Sequence, residues 1–105
     1  MEVQKTRSAL SIQCLPLGLA GREETWAAVD RAIAAIDASG LTYTVGPFET
    51  VIEGPLDRLL ELAAAAHKAL LLAGAPTAAT YMKLWSGAGI GTSEEKTGKY
   101  RAAGH

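Results

Sequence analysis

Apolar and hydroxyl-bearing residues alternate from Leu41 to Val45, with Leu41, Tyr43 and Val45 on one side and Thr42 and Thr44 on the other. A period of two marks a strand with one buried face. Gly46-Pro47 interrupts the alternation, and Thr50-Val51-Ile52 resumes it as far as Gly54-Pro55. The stretch therefore predicts a β-hairpin that runs straight into a helix, with Pro55 just inside the helix start, where a missing N–H costs little. Ser8 to Leu15 alternates in the same way, Leu10, Ile12 and Cys14 against Ala9, Ser11 and Gln13, and Pro16 predicts its end. Thr77 to Trp85 does so again, Ala78, Thr80, Met82 and Leu84 against Ala79, Tyr81, Lys83 and Trp85.

Between these strands the period becomes helical. Trp26, Val29, Ile33 and Ile36 make one stripe from about Glu23, and Gly40 supplies the stop. A second stripe, Leu56, Leu59, Leu60, Ala63, His67, Leu70 and Leu71, ends at Gly74 and Pro76. The order β-α-β-β-α-β predicts an α+β, ferredoxin-like domain over residues 8–86: a four-stranded antiparallel sheet with both helices on one face. A Gly-rich, charged tail follows at 87–105. The uncovered face of such a sheet would show Ser11, Gln13, Thr42, Thr44, Val51, Glu53, Tyr81, Lys83 and Trp85. Two aromatics on a bare face are unusual for a monomer, so another subunit is expected to cover part of it.

Composition narrows the function. A chain of 105 residues, 49% hydrophobic and 20% charged, is one globular domain. A net charge of -1 argues against nucleic acid or an anionic membrane as the main partner. No apolar run reaches the roughly 18 residues of a membrane span, and Ser11 and Gln13 spoil a signal-peptide core, so a cytoplasmic protein is expected. Cys14 is the single cysteine, which excludes an internal disulfide and a cysteine-based metal site. Its apolar context reads as a buried, inert thiol.

Three segments resemble the small thiamine-binding proteins of the YkoF-like superfamily. These are Pro16-Leu17-Gly18, the segment from Gly46 to Gly54 with Leu56-Asp57, and the His67 helix ending in Ala73-Gly74-Ala75 before a strand with Lys83. The middle segment is the most specific. The resemblance spans about residues 8–86, and the tail departs from it. It implies a ferredoxin-like domain that assembles as dimers or tetramers through its sheets. It further implies non-catalytic binding of thiamine or its hydroxymethylpyrimidine half.

Such a ligand needs a few planar donors and acceptors, a flat apolar surface and, for the thiazolium, a negative or aromatic neighbour. Glu49 and Glu53 can supply the charge, Ser11 and Thr50 the hydrogen bonds, and Phe48, Tyr81 or Trp85 the stacking surface, with Lys83 beside them. Each has a plainer explanation. Glu53 can form a cross-strand ion pair with Lys83, and Thr50 is a good β-former. His67 reads as a hydrogen-bonded core or interface histidine, since one histidine makes neither a metal site nor a triad. Trp26 and Trp85 read as packing or interface anchors. Gly87, Gly89 and Gly91 only sketch a phosphate loop, and a flexible linker fits them better. The competing functions are a small enzyme with Glu53 as base and His67 as acid, and a structural or regulatory subunit that binds protein through the open sheet face. The expectation is a binding module and not an enzyme.

Overall fold

A computed structural model of the chain describes residues 2–87. The tail expected at 87–105, with Gly89 and Gly91, lies outside the described residues from 88 onward. A short 3-10 turn at Val3–Lys5 leads into β1 (Arg7–Leu17), α1 (Arg22–Ala38), β2 (Thr42–Val45), β3 (Thr50–Pro55), α2 (Leu56–Leu72) and β4 (Thr77–Ser86). The strands lie in the order β2-β3-β1-β4, and all neighbours are antiparallel. This is the ferredoxin-like α+β fold that the patterning predicts.

The first strand is longer than expected, because it continues through Pro16 to Leu17 opposite Thr77. The Arg7 carbonyl accepts from the Gly87 N–H, so odd residues of β1 bond toward β4. Pro16 is even and turns its missing N–H the other way, where pairing with β3 has already stopped at Ile12. A proline on an open strand edge removes no ladder bond. At the other end of the hairpin, Pro55 is the N-cap of α2 and not its first helical residue.

Register fixes the two faces. Leu10 stands between Ile52 and Leu84, with Tyr43 beyond Ile52, and all four lie on the helix side. The core there holds Leu10, Ile12 and Ile52 from the sheet, Ala28, Ala32 and Ile36 from α1, and Leu59, Leu62, Ala63, Ala66 and Leu70 from α2. Two expected stripes are corrected by these contacts. Trp26 is 60% exposed, stacked under Arg22 at 5.5 Å, and alanines 28 and 32 take the inward side so that α1 can approach closely. On α2, Leu62 and Ala66 replace Leu60 and Leu71, which are exposed. Arg58 donates to the Ser39 carbonyl at 2.5 Å and ties the start of α2 to the end of α1. Gly40 and Gly74 end the helices with φ of 75° and 98°, a region that glycine enters without strain.

β4 is an edge strand. Met82 and Leu84 point to the helix side as expected, yet they are 52% and 46% exposed, because α2 packs more on β1 than on β4. Tyr81 and Trp85 are 63% and 62% exposed on the opposite face.

Candidate functional site

The hairpin loop folds back over the sheet. Val45 pairs with Thr50, and the Gly46 N–H donates to the Glu49 carbonyl at 2.9 Å, so residues 46–49 form a closed four-residue tip. Gly46 is needed there, since a Cβ would meet the Glu49 oxygen at 2.9 Å. Between this tip, the middle of β1 and the inner side of α1 lies a cavity of about 240 Å³. Its apolar wall comes from Ile12, Val29, Ala32, Ile33 and Ile36, and its lip from Val45, Gly46, Pro47, Phe48 and Glu49. Thr50, which is buried, and Cys14 add polar atoms to the wall.

The seven residues expected to bind a ligand do not converge. Phe48, Glu49 and Thr50 meet at the cavity. Ser11, Glu53, Tyr81 and Lys83 lie on the opposite side of the sheet, because they occupy the odd file of β1 and the positions registered with it. The seven candidates therefore lie on two surfaces separated by one sheet thickness. Glu53 and Lys83 are not direct cross-strand partners. Glu53 faces Ala9, Lys83 faces Ser11, and β1 runs between their strands. Phe48 is 81% exposed at the lip, so its ring is available to an incoming molecule.

Cys14 is half-buried, packs against the core and borders the cavity, so the full burial expected of it is corrected. Burial pushes this thiol above its ordinary value, opposed by a hydrogen bond with the Thr80 hydroxyl. It stays protonated near neutral pH. His67 is the hydrogen-bonded histidine that its position predicts: its Nδ1 lies 2.7 Å from Thr80 Oγ1. Sequence reasoning missed Cys14 and the α1 wall. The available signal was polar residues, Cys14, Thr50 and Thr80, in the inward file of three strands, where apolar side chains are the rule. Among the described residues no group of three or more His, Cys, Asp or Glu side chains could hold a metal. No helix there is long and apolar enough to cross a membrane.

Comparison with known proteins adds to this geometry. A family model described as thiamine-binding protein matches residues 10–101. The chain is 35% identical over 92 residues to the UPF0045 protein CPE1503 of Clostridium perfringens, covering 88% of this chain and 95% of the relative. Its fold is similar to a domain of unknown function (DUF77) from Bacillus cereus, with a TM-score of 0.83, 32% identity and 98% of each chain covered. It is also similar to a candidate thiamine biosynthesis/salvage protein from Thermotoga maritima, with a TM-score of 0.78 and 28% identity over 90% of this chain and 99% of the other.

Proposed function

Because the chain belongs to the thiamine-binding protein family, we propose that it binds thiamine or the hydroxymethylpyrimidine half of thiamine, without turnover, in the cavity between α1 and the hairpin tip. The observation that carries this reading is the meeting of Phe48, Glu49 and Thr50 at one apolar recess. At about 240 Å³ the recess is smaller than the roughly 300 Å³ at which sites for larger ligands begin, so it suits one ring better than two. The pyrimidine sits inside against Ile12, Ile33 and Ile36. Thr50 supplies a hydroxyl, which can donate or accept. The thiazolium stays at the lip, where the Glu49 carboxylate and the Phe48 ring face favour a cation.

The proposal includes assembly of identical copies as a dimer or tetramer, in the cytoplasm. Its support is the apolar surface of β4: Tyr81, Met82, Leu84 and Trp85 are all exposed along a strand whose outer edge lies at the end of the sheet. Long, apolar edge strands invite pairing with another chain.

Isothermal titration with thiamine and with hydroxymethylpyrimidine is the direct test. Heat and a raised melting temperature are expected for both. No heat and no thermal shift at millimolar ligand would sink the reading. Consumption of the bound pyrimidine would replace it with an enzymatic one.

A further inference from the structure

The helix side of the sheet carries a polar row that packing alone does not call for. Cys14 and Thr80 are direct partners across β1 and β4. The Thr80 hydroxyl stands beside the Cys14 thiol, where its hydrogen bonding opposes the effect of burial on that thiol, and it lies 2.7 Å from His67 Nδ1. The row thus runs from α2 over β4 to β1, and its inner end, Cys14, is part of the cavity wall. All three side chains are partly buried, and each polar group has a neighbour to bond within the row.

A hydroxyl has one proton to give and two lone pairs to accept with. If Thr80 donates to a bare His67 Nδ1, it can only accept from Cys14. The thiol hydrogen then points to Thr80, and the sulfur turns its lone pairs to the cavity. If Nδ1–H donates to Thr80, the hydroxyl donates to sulfur and the thiol hydrogen is released toward the cavity. The imidazole therefore decides whether the wall offers an acceptor or a donor.

We infer that Cys14 reads the edge of the ring held in the cavity, and that His67 sets the sense of that hydrogen bond through Thr80. The inference rests on the ligand reading above and adds the residues that choose among rings. The chemistry selected is a heteroaromatic edge with a ring-nitrogen acceptor beside an amino donor, as an aminopyrimidine has. A hydrocarbon ring of the same shape satisfies neither state of the thiol.

The chain has a single cysteine, so a maleimide reports on Cys14 alone. With hydroxymethylpyrimidine at about ten times its dissociation constant, labelling should slow about tenfold by mass action. Cys14→Ala and Thr80→Val should each weaken hydroxymethylpyrimidine about three- to tenfold, the worth of one neutral hydrogen bond. Thr80→Ser keeps the hydroxyl and should bind within about twofold of the native chain. Urea melts establish that each variant is folded, and the serine variant keeps the test decisive if the valine variant is not. If the native chain binds the pyrimidine but labelling is unprotected, or Cys14→Ala keeps full affinity, the thiol is no part of the site and the ligand reading stands. Equal losses in Thr80→Val and Thr80→Ser would overturn the relay from His67. If neither ligand binds the native chain, the ligand reading fails and this inference fails with it.

Discussion

A methyl group at Gly46 would sit 2.9 Å from the Glu49 carbonyl oxygen, a contact with backbone that no rotamer relieves. Gly46→Ala should therefore open the hairpin tip, costing about 1–2 kcal/mol in a urea melt and weakening any ligand held beneath the loop. The two acids of the hairpin separate by face. Glu49 borders the cavity, and Glu53 lies on the far side of the sheet. Glu49→Gln should weaken cationic thiamine more than neutral hydroxymethylpyrimidine in titration, and Glu53→Gln should leave both within about twofold, since a neutralised partner is felt only at short range. Equal losses for both ligands in Glu49→Gln would remove it as the charge partner. Sequence spacing admits both acids because either one could face a ligand; that only Glu49 borders the cavity depends on the inward fold of residues 46–49, which no periodicity records. Two other side chains report through pH. Burial holds the Cys14 thiol above its ordinary 9.0, and a hydrogen bond to Asp37 at 2.9 Å, with smaller help from burial and charge, holds the Tyr43 hydroxyl above 10.0. Both keep their protons more firmly in the folded chain, so the unfolded chain loses them first. Their contribution is complete below about pH 9 and falls as pH rises past it. Urea unfolding followed from neutral to alkaline pH should show this decline, and Cys14→Ala should flatten its first part.

At the scale of elements, alternation and helical period were enough to order all six and to assign every strand face correctly, because each strand has one covered side and a one-residue slip would invert it. The helix stripes were less legible. Alanine counts as weakly apolar in a pattern, yet Ala28 and Ala32 are the contacts that bring α1 close, while the larger Trp26 is left in water. The far half of β4 was legible as a strand and not as an uncovered one, since coverage depends on where α2 comes to rest. That half is the element on which the proposed assembly would turn. Leu84→Lys places a charge on an edge that already exposes Met82 and Trp85, and charged edges resist pairing. If copies associate through this strand, light scattering should show Leu84→Lys shifted toward monomer with its melting temperature little changed. An unaltered mass for an oligomeric native chain would exclude β4 from the contact.

On the scale of the whole molecule, β1 is shared property. Its residues Ile12, Gln13, Cys14 and Leu15 line the cavity, and Ser11 and Gln13 are also registered with Lys83 and Tyr81 of the bare face. One ribbon of backbone thus serves as floor to one compartment and ceiling to another. A guest bound below as proposed would also quiet the surface above, and a copy pressed on that surface would steady the floor. By reciprocity each event should favour the other by the same factor. Amide exchange along β4 should slow when hydroxymethylpyrimidine saturates the chain, and dilution should loosen the grip on the guest. If the proposed guest and the proposed neighbour both bind, filling of the cavity and gathering of copies rise and fall together.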